Sequence, residues 1–146
     1  MSMALFFGGK SKETVSVPDL DLDLDERELV QILSFVRLGI GVGFFLLPRR
    51  LGRWWTGEEE ISTTSKMALR SLGGRDAAIA LGTLIALENN GNVRGWLEAG
   101  AVSDASDAVS TLTNWGGLPP LRRLLGLASS VSAVTMGLNL AQAFDD

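Results

Sequence analysis

The feature that most constrains this chain is a nearly continuous apolar segment from Leu29 to Leu47, which contains one charged residue, Arg37, and is followed by Pro48. Proline disfavours continuation of a helix and disfavours helical geometry in the residue before it. A helix of about 20 apolar residues rises 1.5 Å per residue and so matches the ~30 Å hydrocarbon core of a bilayer. The segment therefore predicts a membrane-spanning helix that ends at the proline.

Three further segments of similar length follow, at about 67–87, 95–114 and 121–144. The connections 87–95 and 114–121 are short, and short connections join antiparallel neighbours. The sequence thus predicts an all-α fold, an up-down-up-down four-helix transmembrane bundle over residues 29–146. Residues 1–28, which include the alternating Asp-Leu run from Asp19 to Asp25, form a polar, acidic N-terminal tail.

Aromatic and basic residues predict how the bundle sits in a bilayer. All four Trp lie at segment edges, where amphipathic rings anchor helices at the interface: Trp54, Trp55, Trp96 and Trp115. The connections at one end hold Arg49, Arg50, Arg53, Lys66, Arg122 and Arg123, against Lys10, Lys12, Arg27 and Arg94 at the other. Because Lys and Arg favour the cytoplasmic side, we expect a multi-pass protein of the cell membrane with both termini external.

Charged residues also fall near the middle of the predicted helices. They are Arg37, Arg75, Asp76, Asp104 and Asp107. An ionisable group in the hydrocarbon region is costly unless it is paired or hydrated, so we expect the two guanidinium groups to bridge the carboxylates. One carboxylate remains in excess and would be protonated or would need a cation or water. This intramembrane cluster is either a structural network that fixes packing or a site for a proton, a cation or a ligand headgroup.

Polar residues on two helices extend this expected interior. Thr111 continues the face that carries Asp104 and Asp107, and a polar series recurs at i, i+3 and i+7 on the fourth helix: Ser132, Thr135 and Asn139. We expect these four side chains to line the interior. The third helix carries Glu98 as well as its two Asp, so it must be wrapped by the other three helices or enter the bilayer as a hairpin with the second helix.

Small residues predict close helix packing. Gly39 and Gly43 have the spacing that lets helices approach each other, and further glycines lie on the second and third helices: Gly74, Gly82 and Gly100. They serve packing within one bundle or a face for a homo-oligomer or a partner subunit.

Several functional classes are excluded by residue usage. The chain has no Cys and no His, which removes thiolate metal sites, Cys nucleophiles and His general bases, and its net charge of −4 argues against a nucleic-acid partner. We predict no catalytic residues, no metal, no cofactor and no enzymatic activity.

Three short motifs carry a resemblance over roughly residues 29–143: Arg37-Leu38-Gly39 with Leu47-Pro48, Gly74-Arg75-Asp76 with Gly82, and Gly100-Ala101 with Asp104 and Asp107. In these the chain resembles a family of small uncharacterised bacterial integral membrane proteins with four predicted transmembrane helices. The resemblance implies the membrane topology and a place for the Arg-Asp step in the architecture.

The sequence therefore favours a small integral membrane protein that acts through interactions, as an accessory or scaffold protein in the lipid bilayer. One alternative is a small carrier or ligand- or ion-binding membrane protein that uses the central charges. Another is a soluble helical bundle with an apolar exterior.

Overall fold

Every regular element of the protein is helical in residues 24–144, the part that the computed structural model describes. The elements are α1 (Glu26–Leu46), α2 (Pro48–Thr56), α3 (Thr63–Glu88), α4 (Val93–Thr113), a 3-10 turn (Trp115–Gly117) and α5 (Pro120–Gln142). The all-α prediction is confirmed, and α1, α3, α4 and α5 overlap the four predicted segments. Most of the predicted acidic tail, residues 1–23, lies outside the described residues, as do residues 145–146.

Side-chain caps explain why three long helices begin before their predicted starts. The Asp25 side chain accepts a hydrogen bond from the Glu28 amide, and Glu28 accepts one from the Asp25 amide, which completes a capping box at α1. Ser62 caps α3, and Asn92 caps α4 by accepting from the Gly95 amide. These polar residues satisfy amide groups that have no partner inside the helix.

The short helix α2 occupies the connection between the first two predicted helices and was not predicted. Pro48 stands at its first turn, where the missing amide proton costs nothing. Gly57 ends it in the left-handed conformation at φ 79°, a geometry that glycine adopts without steric cost. The proline that ends α1 thus also begins α2.

Helices α1 and α3 pack antiparallel along their whole length. The Arg27 guanidinium near the start of α1 donates to the Leu87 carbonyl near the end of α3, and Arg70 near the start of α3 donates to the Phe45 carbonyl. The closest approach is between Gly41 and Gly73: a Cβ on Gly41 would lie 2.7 Å from the Ala77 nitrogen. Glycine is required at this crossing because backbone meets backbone.

The glycines that the sequence predicts for close helix packing do not all lie where helices meet. Gly39 is exposed and has nothing within 4 Å of the position a Cβ would take. Gly43 and Gly74 make contacts with side chains only, at 3.2 Å from Leu51 and 3.8 Å from Phe45. The Gly39–Gly43 pair therefore does not form the helix crossing, which lies on the face that carries Gly41.

Helix α4 packs antiparallel against both α3 and α5. A Cβ added to Gly82 would lie 2.5 Å from the Trp96 ring, and a Cβ added to Gly100 would lie 3.5 Å from Ile79. On the other side of α4, a Cβ on Gly137 would lie 3.5 Å from the Leu97 carbonyl oxygen. Small residues therefore set the distance between α4 and each of its neighbours.

The residues inside the bundle are mostly small or polar. Val30 is the one large side chain of the described residues that is fully buried. Two carboxylates and three hydroxyl side chains are also buried: Asp76, Asp104, Ser34, Thr83 and Ser103. The buried apolar cluster around Val30, Leu87 and Leu140 lies at one end of the bundle.

Large apolar side chains lie mainly on the outside. Those of α1 include Phe35, Val36, Ile40, Phe45 and Leu46, and those of α5 include Leu121, Leu124, Leu125, Val131 and Leu138. A soluble monomer rarely exposes an apolar patch larger than a few hundred Å². The number of large apolar side chains exposed on α1 and α5 is therefore high for a soluble helical bundle.

Candidate functional site: an alternating chain of charges

Three helices bring the five predicted central charges to one level. Arg37 lies near the middle of α1, Arg75 and Asp76 near the middle of α3, and Asp104 at the middle of α4. Asp107 follows Asp104 by one helical turn. Because α3 packs antiparallel to both α1 and α4 and the three helices have similar lengths, their midpoints meet at the same depth.

The charges alternate in sign along a continuous chain, which we call the charge network: Asp104, Arg37, Asp76, Arg75 and Asp107. Arg37 pairs with Asp104 and also lies 3.5 Å from Asp76 Oδ1. Arg75 lies 3.2 Å from the same Asp76 oxygen and binds Asp107 through two parallel hydrogen bonds of 2.7 and 3.2 Å. Two-point pairing of this kind fixes orientation as well as distance.

Burial is uneven along the charge network. The side chains of Asp104 and Asp76 are 12% and 13% exposed, and that of Arg37 is 23% exposed. Arg75 and Asp107, at the other end, are 33% and 30% exposed. The network thus has a closed end at Asp104 and a partly open end at Asp107.

Asp76 is the shared member of the network. Its Oδ1 accepts from the guanidinium groups of both arginines, so it joins α1 to α3, while Asp104 and Asp107 extend the connection to α4. Two cations and three carboxylates give a formal sum of −1. The arrangement can lock three helices in register, and its excess carboxylate gives it capacity for one further positive charge.

The predicted polar lining from the fourth long helix is not found in the interior. Thr111 is half-buried and donates to the Asp107 carbonyl, but Ser132, Thr135 and Asn139 are exposed on α5. The reason is rotational: Gly137 faces α4, and a residue two positions away points about 200° around a helix of 3.6 residues per turn. In this chain α5 adds no side chain to the charge network.

The four Trp lie near helix ends, as the sequence predicted. Trp54 is beside Arg122, at 5.7 Å, and Trp115 is beside Arg123, at 5.0 Å, in cation–π geometry. The Trp55 ring lies against Gly126, so α2 packs on the start of α5. Three of the four Trp therefore gather at the end of the bundle that carries α2.

Sequence reasoning missed two structural features. One is the Gly41–Gly73 crossing, which could have been found because Gly41 lies one turn after Arg37 and so shares its face. The other is α2 with its basic side chains, a nine-residue stretch signalled by Pro48 at its start and by Gly57 after its end. Among residues 24–144, no group of three or more carboxylate, His or Cys ligands is placed to hold a metal ion.

Comparisons of the chain with protein-family models, with curated proteins and with solved structures found no match.

Proposed function

We propose that this chain is a multi-pass protein of the cell membrane that acts through interactions, as an accessory or scaffold protein. The observation that carries the proposal is the distribution of polarity in the bundle: large apolar side chains lie outside, and small, hydroxyl and paired charged side chains lie inside. In lipid an apolar exterior is solvated by acyl chains, whereas in water it would drive aggregation.

Two helices support the proposal individually. Among the described residues, α1 and α5 are long and apolar enough to cross a bilayer, and only 17% of each spanning window is buried in the bundle. A core helix of a soluble protein would be mostly buried. The large unburied fraction of α1 and α5 therefore favours contact with lipid.

Helices α3 and α4 do not meet the same criterion of length and composition. In the proposed topology they cross the bilayer because their central charges are paired with each other and with α1. Pairing is what makes ionisable groups tolerable in the hydrocarbon region. All four long helices then span in an up-down-up-down order, and the α2 end of the bundle faces the cytoplasm.

The exterior also provides a surface for partners. Exposed apolar side chains of α1 and α5, such as Phe35 and Leu124, can contact lipid, a partner subunit or a second copy. Helices in membranes associate through packing and interhelical polar contacts, so a rigid bundle with a fixed register is suited to scaffolding.

Membrane fractionation with an alkaline carbonate wash tests the proposal. We expect the protein to remain in the pellet and to require detergent for extraction. Release by the wash, or solubility without detergent, would refute the membrane assignment and support the soluble bundle.

Cysteine labelling tests the topology, since the natural chain has no Cys. In intact bacterial cells, a membrane-impermeant maleimide should label Asn89→Cys, in the α3–α4 connection. Glu59→Cys, which lies between α2 and α3, should be labelled only after the cells are broken. The opposite pattern would mean that the orientation is reversed. Equal labelling of both sites in intact cells would place them on the same side of the membrane and would contradict the crossing of α3 between them.

The excess carboxylate favours a second candidate, a carrier or binding protein for a proton or cation. Asp107 lies at the partly open end of the network, where the charges are least enclosed by the protein. Reconstituted Asp107→Asn protein that keeps its fold but changes proton or cation flux would favour this function. If every variant of the network loses stability alone, the scaffold function is favoured.

A further inference from the structure

A second charged feature lies at the end of the bundle, away from the charge network. It is an open groove of about 570 Å³ between the end of α1, the start of α2 and the start of α3. Its lining includes five cationic side chains and no carboxylate: Arg49, Arg50, Arg53, Lys66 and Arg70. We call this the basic groove.

The cations of the basic groove are not neutralised within residues 24–144. Arg70 donates to the Phe45 carbonyl, and no ion pair is formed by any of the five in the described part of the chain. By contrast, Arg37 and Arg75 are each paired with two carboxylates. Five like charges around one concave surface repel each other, so an anion would stabilise this region.

The rim of the basic groove is apolar. Leu46 and Met67, which are 65% and 64% exposed, line it together with Leu47. Inorganic phosphate or a nucleotide would gain nothing from these aliphatic side chains. A phospholipid has both chemistries, an anionic phosphate and an acyl chain next to it.

Backbone geometry adds to the attraction for a phosphate. The first turn of α2, at Pro48 and Arg49, forms part of the groove, and its N-cap residue Leu47 supplies no side-chain cap. Pro48 has no amide proton and the Leu51 amide bonds to the Leu47 carbonyl, so the Arg49 and Arg50 amides are the donors that this positively polarised helix end offers to an anion. Guanidinium groups then add paired donors that match the phosphate oxygens.

We propose that the basic groove binds the headgroup of an anionic phospholipid, with an acyl chain against its aliphatic rim. The inference rests on the proposed membrane location, in which the groove lies at the cytoplasmic interface, where anionic headgroups attract basic side chains. Among the described carboxylates, Glu58, Glu59 and Glu60 lie at the same end of the bundle, in the α2–α3 connection, but they do not line the groove and form no ion pair with its cations.

Native mass spectrometry of the full chain in neutral detergent tests the proposal, with phosphatidylglycerol, phosphatidylcholine and inorganic phosphate as separate probes. We expect phosphatidylglycerol to bind more tightly than phosphatidylcholine, and inorganic phosphate not to displace it. The variant Arg50→Gln with Lys66→Gln should weaken phosphatidylglycerol binding about 30-fold, since each basic side chain that lines the groove next to the anionic headgroup contributes roughly fivefold.

The matched control is Arg122→Gln with Arg123→Gln, which removes the same charge from the same end of the bundle but outside the groove. We expect it to change binding less than threefold. Equal effects of the two double variants, equal binding of the two lipids, or displacement by inorganic phosphate would each overturn the proposal. Because the carbonate wash tests membrane insertion independently, a groove without lipid preference in a protein that stays in the pellet would leave the proposed location intact.

Discussion

Removal of the Arg37 guanidinium tests whether the charge network is a buried structural unit. Arg37→Met keeps an unbranched apolar stem but leaves Asp104, which is 12% exposed, without its ion-pair partner in the described part of the chain. Breaking a buried pair from one side costs about 3–5 kcal/mol, because the remaining charge is neither solvated nor compensated. Asp76 keeps Arg75 at 3.2 Å, so the loss is concentrated on Asp104.

Two matched variants make this expectation specific. Arg75→Met deprives Asp107, which is 30% exposed and lies one helical turn closer than Asp104 to the end of α4. Its charge is nearer the interface, so we expect a smaller loss of about 1–2 kcal/mol. Arg37→Met combined with Asp104→Leu removes both members of the closed end and leaves no stranded charge. We therefore expect the double variant to recover most of the stability that Arg37→Met loses.

The assay is reversible unfolding in mixed micelles with increasing sodium dodecyl sulfate, followed by Trp fluorescence. None of the four Trp belongs to the network, so the probes remain intact in each variant. The reasoning would be refuted if Arg37→Met cost no more than Arg75→Met. It would also be refuted if the double variant were as unstable as the single one.

The same unfolding assay checks three further expectations. Gly41→Ala places a methyl group 2.7 Å from backbone atoms of α3 and should cost about 1–3 kcal/mol. Gly39→Ala, two residues away in open space, should gain about 0.5–1 kcal/mol through helix propensity; a matching loss would contradict the crossing described above. Asp25→Ala removes the cap of α1 and should cost about 1 kcal/mol, and an unchanged unfolding midpoint would show that the cap is dispensable. Asn139→Leu changes an exposed side chain of α5 and should stay within about 0.5 kcal/mol of the wild type, whereas a larger loss would indicate that Asn139 has a buried partner.

The long helices and the meeting of the central charges could be predicted from the sequence. Segments of about 20 residues bounded by Pro, Gly and Asn define helices of similar length, and antiparallel helices of similar length place their midpoints together. Arg37, Arg75, Asp76 and Asp104 each lie near the middle of a segment. Their pairing then follows from the cost of leaving any of them alone.

The rotation of each helix was harder to predict, and this is where the sequence reasoning differs from the structure. A spacing of four residues, as between Gly39 and Gly43, can occur on any face of a helix. In α1 the face that points inward is the one that carries Arg37, and Gly41 lies on this face. On α5 the spacing of the polar residues at 132, 135 and 139 indicates that they share a face, but it does not indicate whether that face points inward. The small residues Gly126 and Gly137, which contact Thr111, Trp55 and Leu97, turn that series outward.

Helices α1 and α3 meet along two matching rows of residues. The buried residues of α1 and α3 recur with the heptad spacing of helix-packing seams: Val30, Ser34, Arg37 and Gly41 in α1, and Gly73, Asp76, Ala80, Thr83 and Leu87 in α3. Each seam runs from apolar residues at one end, through a charge in the middle, to glycine at the other.

Such a seam has a physical rationale in the proposed bilayer. Lipid tails are as apolar as leucine, so burying large apolar side chains between helices gives no hydrophobic gain there. Close packing at glycine and directional pairing at Asp76 are the interactions that remain, and both are geometrically demanding. The charge network can therefore specify how α1, α3 and α4 pair, while α5, which contributes nothing to it, is positioned by small-residue contacts with α4 and by contacts of its two ends with α2 and with the apolar cluster around Val30.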